Sequence, residues 1–191
     1  MDLDRIFRTR QSVRRYRDQP VERQMLHALI EAVRLAPSAC NSQPWKLILV
    51  DDPVLKNQVA AATFSQAVSF NRFSLEAPVI AVLTIEKPKW TARLGALIKQ
   101  RELPLIDVGI AAAHFCLKAT ELGLGTCMLG WFDEHRIRRL LNIPPKIRIG
   151  LLITLGHAEK GYPLRKKIRK ETAQMSGFND YRSATGDNSA L

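Results

Sequence analysis

Cysteine is scarce in this chain. Cys40, Cys116 and Cys127 are the only three among 191 residues, and no two form a CxxC pair. That excludes a disulfide framework and a thiolate zinc site, and it suits a reducing, cytoplasmic setting. Long apolar runs are also missing. Nothing approaches the roughly 18 uninterrupted apolar residues of a membrane span. The charged start Met1-Asp-Leu-Asp-Arg-Ile-Phe-Arg lacks the apolar stretch of a signal peptide. His27, His114, His135 and His157 are far apart and form no HExxH or HxH arrangement, so no metal site is expected. His114, on an apolar helix pattern, reads as a satisfied core histidine. There is no GxSxG nucleophile elbow. Cys40 has no adjacent His or basic residue to activate it and reads as a bystander.

Acidic residues are in deficit as well. Asp+Glu number 18 against 29 Lys+Arg, a formal net charge of +11. An excess of that size implies an anionic partner, and nucleic acid, an acidic lipid surface and a phosphorylated cofactor all qualify. The remainder is ordinary for a globular protein, with 46% hydrophobic and 25% charged residues. The length suits one compact domain.

Helix and strand signals alternate unevenly. Residues 21–36 carry Leu26, Leu29, Ile30 and Val33 at helical spacing between Pro20 and Pro37. The irregular stretch Pro37-Ser-Ala-Cys-Asn-Ser-Gln-Pro44 leads to an expected strand, Trp45–Val50, and a weaker helix around 54–63. Pro78–Ile85 is a continuous apolar run of strand length, as expected of a strand covered on both faces. Residues 86–104 read as a partly helical excursion of the kind that forms lids. An apolar helix over 105–122 ends at Gly123 and belongs in a core or an oligomer interface. A short strand Thr126–Leu129, a helix 134–141 capped by Asp133 and a strand Ile147–Leu155 follow. The pattern predicts an α+β fold in three layers with a mixed, mostly antiparallel sheet. Residues 1–179 form one domain in this reading, and 180–191 form a loose tail.

Three segments could carry chemistry. In Arg10-Gln-Ser-Val-Arg14, the alternation of Arg10, Ser12 and Arg14 would point all three to one side of an extended segment, a good grip for phosphate. A solvated basic terminus is the alternative. In Lys160–Lys170, Lys167 and Arg169 alternate in the same way and could converge on the same phosphate. A nucleic-acid patch is less favoured there, because Tyr162 is the sole aromatic neighbour available for stacking. The loop Pro37–Pro44 offers Ser38, Asn41, Ser42 and Gln43 to a flat polar ring, or is simply a helix-to-strand connection. Gly123-Leu-Gly125-Thr-Cys-Met-Leu-Gly130 has the wrong spacing for a dinucleotide fingerprint, and its glycines follow a helix instead of opening one.

Together, Arg10-Gln-Ser-Val-Arg-Arg-Tyr16, Ala36-Pro-Ser-Ala-Cys-Asn-Ser-Gln-Pro-Trp45, Glu121-Leu-Gly-Leu-Gly-Thr126 with Leu129-Gly-Trp-Phe-Asp133, and Arg165-Lys-Lys-Ile-Arg169 resemble the nitroreductase family of flavin enzymes. The resemblance covers nearly the whole chain. It implies a three-layer α/β/α intertwined homodimer with two FMN sites between the subunits. It also implies a cycle in which NADH or NADPH gives hydride to flavin N5 and a flat small-molecule acceptor, such as a nitroaromatic or quinone, then takes the electrons.

By position, Arg10, Lys167 and Arg169, assisted by Ser12 and the neighbouring Gln11, resemble the residues that hold the FMN phosphate. Arg14 resembles the basic residue near the pyrimidine edge. Pro37, Ser38, Ala39 and Asn41 would come from the partner subunit. Leu129 and Gly130 would lie against the ring, and Asn71 would bond the pyrimidine side. Trp90 and Arg93 in the excursion are expected to shape the acceptor pocket. Trp131 is a second pocket candidate, with a core role as the alternative. A flavin protein with another task, reductive dehalogenation or flavin destruction, is the rival within the fold. A basic nucleic-acid-binding module is the rival outside it.

Overall fold

The computed structural model describes residues 2–87 and 102–182. Its centre is a four-stranded sheet of β1 (Trp45–Val50), β2 (Val79–Ile85), β3 (Gly125–Leu129) and β4 (Arg148–Gly156), in the order β1-β2-β4-β3. Every pairing in it is antiparallel. The expected mixed character comes from outside these strands, through a lone parallel bridge between Ser12 and Thr126.

The apolar run in β2 is covered on both faces, as its composition demands. Val79, Ala81 and Leu83 pack into one cluster with α2 (Arg23–Arg34) and a long helix over Leu103–Glu121. Ile80 and Val82 pack into a second cluster with α3 (Pro53–Ala60) and a short helix over Glu134–Leu140. These are the three layers. The Leu103–Glu121 helix is α4 and Glu134–Leu140 is α5. β4 keeps the same alternation, and a bulge between Leu83 and Thr84 in its pairing with β2 leaves Gly150 unmatched. A Cβ there would lie 3.1 Å from Val108 Cγ1, so the bulge and the glycine let α4 sit close to the sheet.

Local chemistry sets the ends. Gly123 adopts φ +76° after α4, and Leu124 N–H donates to Ala119 O at 2.8 Å while Gly123 N–H donates to Thr120 O at 3.1 Å. This paired capping closes the helix and turns the chain into β3. Asp133 caps α5 by accepting from Arg136 N–H at 2.9 Å. The basic amino terminus holds an unanticipated helix, α1 (Leu3–Thr9), with only Ile6 buried. A further short helix, α6 (Thr172–Met175), follows the basic segment.

α4 has the length and composition of a membrane-crossing helix. Its buried residues Val108, Ala111, Phe115 and Ala119 nevertheless belong to the core beneath the sheet. Its exposed apolar residues are concentrated near its start, at Leu105 and Ile106.

Candidate functional site

Residues 12–17 join the sheet edge to the end of β4. Val13 N–H donates to Thr126 O at 2.9 Å, Arg17 N–H to His157 O at 2.9 Å and Glu159 N–H to Arg15 O at 3.1 Å. The approach to β3 is close: a Cβ on Gly125 would lie 2.7 Å from Val13 Cγ2. Behind this segment the Tyr16 hydroxyl donates to Val13 O at 2.9 Å and lies 2.7 Å from Thr154 Oγ1. Burial pushes that phenol well above its usual range, so it serves as a neutral donor.

This zipper brings the two basic segments together. Gln11 clasps the later one at both ends of its amide: Nε2 donates to Pro163 O at 3.0 Å, and Oε1 accepts from Arg165 N–H at 3.0 Å. Lys167 Nζ donates to Arg10 O. A hollow of about 280 Å³ is lined by Arg10, Gln11, Ser12, Arg165, Lys166, Lys167, Ile168 and Arg169. Five of these are cations, one offers a hydroxyl, and no carboxylate lines the hollow. Partial loss of water lowers the Lys167 pKa, and the neighbouring Arg10 and Arg169 charges lower it further. A phosphate dianion would relieve that crowding, so the donor set fits a phosphomonoester. The expected convergence of Arg10, Ser12, Lys167 and Arg169 is present.

Arg14 leaves this cluster. Its backbone N–H donates to Tyr162 Oη at 3.1 Å, and its guanidinium lies 5.9 Å from the centre of the Phe73 ring. Tyr162 also accepts from Arg165 at 3.0 Å and stacks under it. It thereby fixes two of the cations, a role its sequence position alone did not announce.

From Ser12 the site runs along β3. Three residues beyond Thr126, roughly 10 Å at the usual strand rise, buried Leu129 gives way to exposed Gly130, where a Cβ would meet nothing within 4 Å. The Gly130–Asp133 turn is tied down from behind: Asn71 Nδ2 donates to Thr63 O and to Trp131 O, both at 3.2 Å, and Asp133 N–H donates to Ala62 O at 2.7 Å. The Asn71 amide nitrogen is therefore committed to supporting this turn. Trp131 is 57% exposed in the single chain. Trp90 and Arg93 lie outside the described residues, as does most of the 86–104 excursion.

The Pro37–Gln43 loop has its own geometry. Cys40, Asn41 and Gln43 take φ values of 52°, 49° and 46°, left-handed conformations that cost non-glycine residues about 1 kcal/mol or more each. Ser38 Oγ accepts from Gln43 N–H at 2.9 Å, and Asn41 Oδ1 accepts from Gln43 Nε2 at 2.8 Å. Asp107, on α4, accepts from Ala39 N–H at 3.1 Å. Within the chain the loop is thus joined to α4, and none of its described hydrogen bonds reaches the Arg10–Lys167 hollow. Asp107 was not singled out in the sequence. Its signal was a lone carboxylate in the otherwise apolar first half of that helix.

Comparison with known proteins bears on the fold and the family. Residues 7–157 match the model of the nitroreductase family. The chain is 32% identical over 181 residues to a protein named NADH dehydrogenase from Thermus thermophilus, covering 81% of this chain and 86% of that one. It is 29% identical over 160 residues to a 5,6-dimethylbenzimidazole synthase from Rhodobacter capsulatus, covering 75% and 77%. A solved nitroreductase family protein from Clostridium novyi NT superposes with a TM-score of 0.72 at 25% identity, covering 96% of this chain and 97% of that one. With the fold, the ordered motifs and the match over most of its length in agreement, the chain belongs to the nitroreductase family.

Proposed function

We propose that this chain binds FMN between two copies of itself and passes reducing equivalents from NADH or NADPH to a flat acceptor such as a nitroaromatic or a quinone. The observation that carries the proposal is the hollow in which Arg10 and Ser12 meet Lys167 and Arg169. Residues 1–179 act as a single FMN-binding domain, and three free thiols suit a cytoplasmic location.

Bound there, FMN supplies the two-electron chemistry between the nicotinamide donor and the acceptor. The protein supplies everything else. Arg10, Lys167 and Arg169 hold the phosphate by charge, and the Ser12 hydroxyl adds a neutral donor. Arg14, fixed over Phe73, contributes positive charge toward the pyrimidine side, where reduction places negative charge. With the Leu129 side chain buried and Gly130 bare, this turn offers backbone to the ring, and the Asn71 tethers hold that surface still. Exposed Trp131 borders the approach as part of the acceptor pocket. Pro37, Ser38, Ala39 and Asn41 complete the site from the other copy, which accounts for a loop braced on α4 without hydrogen bonds to the phosphate hollow in its own chain.

Exposed apolar side chains support the dimer. Leu3 and Phe7 on α1, and Leu105 and Ile106 on α4, are more exposed than their chemistry favours, and the two helices pack together. Ile168, Met175, Phe178 and Tyr181 in the carboxy-terminal segment are exposed as well.

The test is direct. Purified protein supplied with FMN should become yellow, bleach anaerobically with NADH or NADPH, and regain colour when a quinone or nitroarene is added. Protein that stays colourless with FMN would end this reading. Protein that consumes its own FMN in air, instead of cycling, would favour the flavin-destroying alternative.

A further inference from the structure

Asp107 is out of place energetically. The other buried residues of α4 are Val108, Ala111, Ala112, Phe115, Cys116 and Ala119. Asp107 is 4% exposed, its Oδ1 accepts a single backbone N–H from Ala39, and its Oδ2 is buried with no hydrogen-bond partner. A carboxylate served this thinly weakens a fold, and an apolar residue of the same shape would hold the helix to the core better. Ser42 Oγ, in the loop that Asp107 braces, is buried and unpartnered too. Two of the four such side-chain atoms among the described residues therefore lie in this loop and its anchor.

The loop needs a brace. Three of its residues are held in left-handed conformations. Apart from its junction with β1, where Trp45 N–H donates to Gln43 O at 2.8 Å, its described hydrogen bonds are internal except the one to Asp107. Ala39 sits between Ser38 and the left-handed turn, so fixing its N–H fixes where both begin.

We propose that Asp107 is a positioning residue for the flavin-binding loop: from α4 it holds Ala39, and through it Ser38 and Asn41, in the arrangement that receives the isoalloxazine and ribityl part of FMN. This rests on the flavin reading above. It separates two kinds of contact. The Arg10–Lys167 hollow discriminates phosphate, whereas the loop set by Asp107 is indifferent to it.

The experiment compares D107L and D107N with the normal full-length protein. It measures dissociation constants for FMN and riboflavin by fluorescence quenching, melting temperature without flavin, and exchange of the Ala39 amide. D107L, close in shape and apolar, should melt at or above the normal temperature. It should still bind both flavins about tenfold or more weakly, with their ratio unchanged, and exchange the Ala39 amide faster. D107N keeps an oxygen for that N–H and should bind within about threefold of normal. A merely structural role predicts the reverse for D107L, with stability and affinity falling together. The proposal is overturned if D107L binds both flavins normally, or if it loses FMN but not riboflavin. It is also overturned if D107N, folded, binds no better than D107L. Should D107L fail to fold, D107A, which also lacks an acceptor for the Ala39 N–H, supplies the binding and exchange comparison, with the same binding outcomes deciding. Normal protein that binds neither flavin would defeat the flavin reading itself, a result distinct from any of these.

Discussion

Arg169 and Lys167 differ in what each can be expected to contribute. Lys167 already donates to Arg10 O, so part of its charge is spent on joining the two basic segments. Replacing Arg169 with Ala should weaken FMN binding by about 1.5–3 kcal/mol, the range for a charge-assisted contact, and leave riboflavin binding nearly unchanged. Titration of the two ligands in parallel checks this, and equal losses for both would remove Arg169 from the phosphate grip. His157 offers a pH test. Burial first, and the Arg17 charge second, lower its pKa below the ordinary 6.5, and its Nε2 is buried without a partner. The folded chain therefore resists a proton that the unfolded chain accepts. Stability should decline as pH falls below about 6.5 and level off once the folded pKa is passed. Denaturant melts from pH 7 to 5 should show this slope, and H157Q should flatten it.

At the scale of elements, Gly125 marks a close approach of the amino-terminal segment to β3. An added methyl would lie 2.7 Å from Val13, which is itself buried in a cluster with Tyr16 and Ala77. G125A should cost about 1–3 kcal/mol of stability. It should also loosen FMN by displacing Ser12 from Thr126, as read by thermal melting with and without FMN.

The strands were legible because each carries its burial in its composition, β2 most plainly, and the helix limits followed from Pro20, Pro37, Gly123 and Asp133. α1 was not, since it spans only seven residues, three of them charged (Asp4, Arg5 and Arg8), and it buries only Ile6. The convergence of Arg10 with Lys167 was legible as paired alternations, but its cause, the run of hydrogen bonds from Val13 to Glu159, depends on register that no local pattern encodes. The Asp107 brace escaped notice for a similar reason. It joins a loop to a residue 68 positions away, and nothing local marks the pair.

For the whole molecule, the apolar residues on α1 and α4 predict association. FMN-loaded protein should sediment at twice the chain mass of 21.6 kDa, with flavin absorbance moving with the protein. I106K should produce a monomer that retains FMN poorly, because the desolvation of an added ammonium opposes the contact. A folded monomer of normal sequence carrying a full complement of FMN would contradict the shared site.

The bond from Lys167 to Arg10 spans 157 positions, whereas β4 ends at Gly156. The sheet is thus complete in sequence before the second half of the phosphate grip begins. A version of the chain cut just after β4 would therefore keep all four described strands yet lose the cations that close on Arg10, and with them any means of retaining a phosphorylated prosthetic group.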